Sequence, residues 1–245
     1  MGLAPLSLLH DECVAPGRVG GRLRDIGARR WRRLPHLWRF ETTATLAGVR
    51  VALRETSDYP WVGEVRIEID PETPAAFDLK LRIPGWAKGA TAAVNGEPTA
   101  LTATNSYATI HRVWRKGDVV ALDLKMQAER IYAHPNVRMD VGRAALRRGP
   151  LIYCVEEANN PGGLVQPLAL PRSALLAVES RPDLFGGVVT LKASAKRLAI
   201  TNEAGALYST EPPAALDASL IALPYHLWAN RGPGSMQVWV AELEG

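Results

Sequence analysis

The chain has 245 residues, of which 47% are hydrophobic and 22% are charged, and its formal net charge at pH 7 is +4. This ordinary composition excludes disorder of the whole chain, and no apolar run reaches the roughly 18–20 residues that a membrane helix needs. The length suits one large β domain or two of ordinary size.

Residues 1–40 form a basic arm, with eight arginines against three acidic residues, so that the arm carries a net +5 and the rest of the chain −1. The stretch from Val19 to Arg33 is compatible with a short helix, although three glycines weaken it. Pro35 would end such a helix. We therefore predict an irregular or helical arm. A basic arm can bind phosphate backbones, but no module that reads nucleic acid accompanies this one, so we expect no nucleic-acid partner.

The start of the chain bears on localisation. The first nine residues are largely apolar but lack a basic leader, and His10-Asp11-Glu12 follows them directly. This pattern is a poor match to a signal peptide, so we expect a cytoplasmic protein without a membrane partner. The two cysteines, Cys13 and Cys154, lie far apart and provide no disulfide framework.

From about residue 41 apolar and polar residues alternate strictly. Glu64–Asp70 places Val65, Ile67 and Ile69 on one face and charged residues on the other. The same period of two recurs in Val49–Leu53, Phe77–Ile83 and Val120–Lys125. Turn signals separate the runs, and Asn95-Gly96 suits a hairpin turn that needs two positive φ angles. We predict antiparallel strands that form a first β-sandwich over residues 41–127.

A second set of strands begins near residue 128. Residues 203–219, rich in Ala, Pro and Ser, indicate a long loop. The predicted strands include Ala144–Arg148, Leu151–Glu157, Leu175–Glu179, Val188–Ala193, Arg197–Thr201, Ser219–Leu223 and Met236–Glu242. We predict a second sandwich over residues 128–245, and we expect the last strand, residues 236–242, to return and complete the first one. The predicted fold class is all-β, with two antiparallel, jelly-roll-like β-sandwiches behind the arm.

Candidate nucleophiles are few. Cys13 follows two acidic residues, whose charge would raise the pKa of its thiol, and it lies three residues from His10. It is the single candidate catalytic residue, and the favoured alternative is a free cysteine in a loose arm. Cys154 lies in an apolar strand, where a buried and inert thiol is expected.

Metal and acid–base patterns are also sparse. The five histidines show no zinc-motif spacing, so we expect no metal site. Glu156-Glu157 and the pair Glu68 and Asp70 supply neighbouring carboxylates, which glycosidases need. Any charged strand face provides such pairs by chance, so they do not by themselves indicate catalysis.

Tryptophans in motif-like strings are the candidate substrate-binding residues, because sugars stack on indole rings. These residues are Trp61, Trp86 and Trp228. The alternative, which we favour, is that the rings plug the ends of the sandwiches, since each ring buries a large apolar area.

Several strings occur in an order that resembles the region after the catalytic barrel in glycoside hydrolase family 127, whose characterised members include β-L-arabinofuranosidases. They are Asp58-Tyr59-Pro60-Trp61, Leu81-Arg82-Ile83-Pro84-Gly85-Trp86-Ala87, Val94-Asn95-Gly96, Trp114-Arg115-Lys116-Gly117-Asp118, Arg148-Gly149-Pro150-Leu151-Ile152-Tyr153-Cys154, Pro224-Tyr225 and Trp228-Ala229-Asn230-Arg231-Gly232-Pro233-Gly234. The resemblance runs from about residue 36 to 241. It implies an (α/α)6 barrel followed by two β-sandwich domains.

The resemblance also implies a zinc ion and a nucleophilic cysteine that belong to the barrel. The implied ligands are one Glu and three Cys, two of them in a Cys-Cys-Pro-Pro motif. This chain has Glu12-Cys13-Val14-Ala15-Pro16 at the corresponding place, which preserves at most one of those cysteines. One thiol does not make a four-coordinate zinc site, so we expect no cofactor here.

The leading hypothesis from the sequence is therefore a non-catalytic accessory region of such an enzyme, in a truncated protein from which the barrel is missing. One alternative is part of an active β-L-arabinofuranosidase whose barrel is encoded separately. The other is a carbohydrate-binding module. The expected partners are a catalytic barrel in cis or in trans, a carbohydrate, and a second copy of the chain, because a sandwich face without its barrel would expose apolar surface.

Overall fold

The computed structural model describes residues 6–8, 30–34, 37–199 and 207–244. It divides into two compact units, Met1–Met126 and Gln127–Gly245. Within the described ranges the chain forms β-strands and short 3-10 helices, at Arg138–Asp140, Glu157–Asn159 and Tyr225–Leu227, which confirms the all-β class. No helix in these ranges is long and apolar enough to span a membrane.

The first unit contains two sheets. Its strands are β1 (Leu6–Leu8), β2 (Arg30–Leu34), β3 (Leu37–Leu46), β4 (Val49–Ser57), β5 (Glu64–Pro71), β6 (Ala75–Arg82), β7 (Thr91–Val94), β8 (Glu97–Thr99), β9 (Ala103–Thr104), β10 (Tyr107–Trp114) and β11 (Asp118–Asp123). The described strands form a four-stranded sheet, β1-β6-β10-β9, and a seven-stranded sheet, β2-β3-β4-β5-β11-β7-β8. Their pairing is antiparallel except for the parallel contact of β1 with β6.

The alternation of the sequence becomes the inner face of this sandwich. Ile67 and Ile69 on β5 are fully buried, while the charged residues that alternate with them, Arg66, Glu68 and Asp70, face away. One hydrophobic cluster takes residues from both sheets, such as Leu79 from the smaller sheet and Leu122 from the larger. Two faces that each present an apolar row must pack on each other to exclude water, which gives the sandwich.

The Asn95-Gly96 turn joins β7 to β8 as predicted. Asn95 has φ of 54° and Gly96 has φ of 88°, so both central residues are left-handed. Val94 pairs with Glu97 across the turn, as a two-residue hairpin requires. The Asn95 side chain adds a second link, because its Nδ2 donates to Asp118 Oδ1 over 2.8 Å.

The arm differs from its prediction where the structure describes it. Arg30–Leu34 is a strand, β2, that pairs antiparallel with β3, so this part is neither irregular nor helical. The first sandwich accordingly begins before residue 41. β4 pairs with one edge of β3, and β2 satisfies the backbone N–H and C=O groups along the other edge. The charge and glycine content of the arm, on which the prediction was based, do not reveal this pairing. Most of the remaining arm lies outside the described residues.

The second unit has nine described strands in one sheet. They are β12 (Ala128–Ile131), β13 (Arg143–Arg148), β14 (Leu151–Glu156), β15 (Leu168–Pro171), β16 (Ala177–Arg181), β17 (Val188–Ala199), β18 (Ala214–Pro224), β19 (Met236–Gln237) and β20 (Trp239–Leu243). The order β13-β20-β15-β17-β18-β14 returns to β13, so hydrogen bonding closes into a ring around a second hydrophobic cluster. Ring closure leaves these six strands without a free edge.

The last strand does not complete the first sandwich. Its residues Trp239–Leu243 form β20, which pairs antiparallel with β13 and in parallel with β15, all within the second unit. The expectation for residues 236–242 is therefore wrong. Without β20 the ring would open between β13 and β15, and Val240, which is fully buried, would lose its place in the second core.

The loop predicted over residues 203–219 is shorter than expected. Its last six residues, 214–219, belong to β18, which pairs with β17 from Ala199↔Ala214 to Leu191↔Ala222. β17 itself runs without a break through Val188–Ala199, where two strands were predicted. A long partner strand provides a hydrogen-bonding template that overrides the weak strand preference of Ala, Ser and Asp. Residues 203–206 lie outside the described ranges.

Candidate functional site

The catalytic candidate Cys13 lies outside the described residues, as does His10, so its role stays a prediction. In the part of the chain that the structure describes, no group of three or more His, Cys, Asp or Glu side chains is arranged to hold a metal ion. Cys154 on β14 is fully buried, as expected. Burial, with a further contribution from the charge of Glu156, raises the pKa of its thiol to about 12, so it carries no thiolate at neutral pH.

The neighbouring carboxylates have structural partners. Glu156 accepts a 2.7 Å bond from Arg231, and Glu157 accepts bonds of 2.9 Å from both the backbone N–H and the hydroxyl of Ser235. These bonds from Ser235 lower the pKa of Glu157. The other pair, Glu68 and Asp70, shares Arg54 at 3.7 and 3.0 Å on the outer face of the sheet. All four carboxylates are thus bonded or paired to neighbouring side chains or backbone, and neither pair provides a free acid and base facing each other across a cleft.

Trp61 and Trp86 lie in the first unit and are half-buried. The ring of Trp86 stacks on Tyr59 with centroids 6.4 Å apart, and both rings pack against the first hydrophobic cluster. Trp61 lies in a turn in which its backbone N–H donates to the carbonyl of Asp58 over 2.8 Å. The surroundings of Trp86 match the interpretation as a plug at the end of a sandwich.

Trp228 is the most exposed of the three candidates. It lies in the second unit just after the Tyr225–Leu227 helix, and 40% of its surface and 47% of that of Tyr225 remain accessible. The two rings are nearly parallel, at 9°, with centroids 6.3 Å apart. Burial lowers the pKa of the adjacent His226, which favours the neutral imidazole. The pair presents an aromatic surface with polar edges, which suits stacking of a sugar ring.

A buried carboxylate anchors the loop that follows Trp228. The Glu156 side chain is only 2% exposed, and its two oxygens accept from the Ala229 N–H at 3.4 Å and from Arg231 at 2.7 Å. Arg231 also lies over the ring of Phe185, 5.3 Å from its centroid. These contacts connect the loop to β14. They also pair the buried charge of Glu156, whose burial would otherwise be costly.

A cavity of about 400 Å³ opens elsewhere in the second unit. Its walls include Tyr132, Asp140, Arg143, Arg172 and Glu242. Tyr132 and Glu242 are 110 residues apart in sequence, yet the tyrosine hydroxyl donates to Glu242 Oε1 over 3.1 Å. The sequence offered no signal for this cavity, since its residues come from separate segments that only the closed sheet brings together.

Comparison with known proteins places both units. Residues 36–126 match the family described as beta-L-arabinofuranosidase, GH127 middle domain, and residues 128–241 match the glycoside hydrolase family 127 C-terminal domain. A non-reducing end beta-L-arabinofuranosidase of Bifidobacterium longum is 35% identical over 216 residues, which are 84% of this chain and 32% of that protein.

Solved structures agree. A GH127 beta-L-arabinofuranosidase from Geobacillus stearothermophilus T6 superposes with a TM-score of 0.80 at 38% identity, covering 87% of this chain and 35% of that one. A second GH127 beta-arabinofuranosidase has a TM-score of 0.74 at 29% identity, covering 84% and 34%. The chain thus spans about a third of the length of these relatives. The chain belongs to glycoside hydrolase family 127. Its residues 36–126 correspond to the middle domain of that family and its residues 128–241 to the C-terminal domain.

Proposed function

We propose that this chain is a non-catalytic accessory region of a family 127 glycoside hydrolase, and that hydrolysis requires a catalytic barrel supplied in cis or in trans. The observation that carries the proposal is the match itself, which covers the middle and C-terminal domains and about a third of the length of the relatives. The environments of Glu156, Glu157 and Cys154 support it, since both carboxylates are bonded to partners within the fold and the thiol is fully buried.

Hydrolysis of a chromogenic β-L-arabinofuranoside tests this proposal. The purified chain, with added zinc and reducing agent, is expected to release no more chromophore than a Cys13→Ala variant assayed in parallel, because one thiol cannot assemble a four-coordinate zinc site. A characterised β-L-arabinofuranosidase serves as the positive control. Zinc-dependent turnover that disappears with Cys13→Ala would contradict the proposal and place a catalytic site within the chain.

Adding a separate catalytic barrel to the same assay tests whether this chain supports the activity of such a barrel. If a neighbouring reading frame encodes a barrel, turnover should appear when both polypeptides are mixed and should exceed that of the barrel alone. A barrel whose activity does not change on addition of this chain would argue against an accessory role for it.

Carbohydrate binding is the second candidate function, and the exposed Tyr225–Trp228 pair favours it. Addition of an arabino-oligosaccharide is expected to shift the tryptophan fluorescence of the wild-type chain. Trp228→Ala should weaken binding roughly fivefold, as the loss of a stacking contact of about 1 kcal/mol implies. The control is Trp61→Ala, which removes a half-buried ring of the other unit and should bind as the wild type does. Equal binding by both variants would exclude Trp228 as the contact.

A further inference from the structure

A carboxylate, that of Glu242, is among the groups that line the cavity in the second unit. Glu242 lies within β20, and its side chain is only 3% exposed. Oε1 lies 3.6 Å from Arg130 Nε and Oε2 lies 3.5 Å from Arg172 Nε, so both contacts are ion pairs longer than good hydrogen bonds. Within the described residues, the hydroxyl of Tyr132 provides the one hydrogen bond to this carboxylate, at 3.1 Å. A buried carboxylate has about four lone-pair sites, so Glu242 can accept further donors.

Arg130 pairs with Glu242 but does not itself line the cavity. Arg130 Nε is buried and has no hydrogen-bond partner within the described ranges, although its two terminal nitrogens donate to the carbonyls of Pro171, Arg172 and Ala174. Those bonds hold Arg130 in place beside Glu242, to which it contributes positive charge. Glu242 is therefore held in a fixed position at the cavity with acceptor sites still free, a condition that a bound group with hydroxyls would relieve.

The rim of the cavity supplies further polar groups. No contact to the Asp140 carboxylate is recorded among the described residues, and it faces the same cavity as two guanidinium groups, those of Arg143 and Arg172. Arg143 uses one nitrogen to donate to the carbonyl of Trp239 over 3.2 Å. Two arginines and two carboxylates line the walls, so their formal charges cancel. This balance favours neither an anion nor a cation, but a neutral ligand that both donates and accepts hydrogen bonds.

We propose that this cavity binds a neutral polyhydroxylated ring of about the size of a monosaccharide. Hydroxyl groups can donate to Asp140 and Glu242 and accept from the arginines, while the half-exposed ring of Tyr132 offers an apolar face for C–H groups. The volume of about 400 Å³ lies within the usual range of small-molecule sites. The inference rests on the second candidate function, carbohydrate binding, and assigns it to a surface separate from Trp228.

The test uses the full chain and ligand-observed NMR with L-arabinose, D-galactose and D-glucose as probes. The wild type is expected to bind at least one of them, and Asp140→Ala should weaken that binding about tenfold, as the loss of a hydrogen bond to a charged group implies. The Asp140 carboxylate contacts no hydrogen-bond or ion-pair partner among the described residues, and its backbone bond to Val137 survives the change, so this variant should fold normally. Glu211→Ala is the matched control, because it removes an exposed carboxylate of the same unit outside the cavity.

The outcomes separate the two surfaces. Loss of binding with Asp140→Ala but not with Trp228→Ala or Glu211→Ala supports the cavity. Loss with Trp228→Ala alone overturns the cavity and keeps carbohydrate binding at the aromatic pair. No binding of any probe by the wild type overturns the cavity, while the oligosaccharide titration still decides the Trp228 surface. Tyr132→Ala gives a second reading of the cavity wall, and far-UV circular dichroism verifies that each variant is folded.

Discussion

Replacing Trp114 with alanine is expected to destabilise the chain by about 4 kcal/mol, the largest effect of any single substitution proposed for it. Trp114 ends β10 and is fully buried in the first sandwich. Its ring packs on Phe77 with centroids 5.8 Å apart, and its indole N–H donates to the Phe77 carbonyl over 3.0 Å. Alanine would leave a cavity that the two sheets cannot close, and it would also leave that carbonyl without its donor.

Urea unfolding measures this effect. Trp228→Ala is the matched control, since it removes the same side chain from an exposed position, and it should cost less than about 1 kcal/mol. Trp114→Phe should fall between the two, because it keeps most of the apolar volume but loses the N–H. A loss for Trp114→Ala as small as that of the control would show that this ring does not support the core.

The second large effect concerns a carboxylate on the inner face of β4. Glu55 shares this face with Val51 and Leu53, and its cross-strand neighbours are Phe40 and the fully buried Ile67. No ion pair or hydrogen bond of its carboxyl is recorded among the described residues. Burial raises the pKa of Glu55 from 4.5 to about 7. The folded state therefore favours the protonated form.

The direction of the pH dependence follows from this shift. Between about pH 4.5 and pH 7 the folded state binds more protons at Glu55 than the unfolded state does, so stability falls as pH rises through this window. Glu55→Gln, which carries no charge at any pH, should therefore be more stable than the wild type by up to about 3 kcal/mol at pH 8. The difference should vanish near pH 4.

Urea unfolding at pH 4, 6 and 8 provides the measurement. Glu64→Gln is the control, because Glu64 begins β5 on its exposed face and should change stability by less than about 0.5 kcal/mol at each pH. A stabilisation by Glu55→Gln that is equal at all three pH values would rule out titration of Glu55 as its cause. No stabilisation at pH 8 would show that the carboxylate is solvated or paired in solution.

Local patterns predicted the elements of this protein well, because they depend on neighbours in the chain. Alternation identified the buried faces of β5 and β6, and Asn95-Gly96 identified a hairpin by its need for positive φ. The ordered strings also identified the family, which the matches over residues 36–126 and 128–241 confirm. In each case the physical cause, side-chain period or backbone conformation, acts within a few residues.

Pairing between distant strands was beyond such patterns. β18 includes residues that resemble a loop, and they are strand because the long β17 lies beside them. β20 was expected in the first unit and pairs in the second, since a strand of apolar alternation fits either sheet equally well by sequence. The choice depends on which unit still has an open edge, and that is a property of the assembled sheet.

The candidate sites also depend partly on local patterns and partly on contacts between distant residues. The sequence by itself singled out Trp228 as an aromatic residue in a motif-like string, and it determined the all-β class and the family. Only the tertiary structure decided that Trp228 is exposed beside Tyr225 while Trp86 packs against a core, that Glu55 faces inward, and that Tyr132 meets Glu242 at the cavity. Exposure, desolvation and convergence of polar groups all depend on contacts between residues far apart in the chain, which no local pattern encodes.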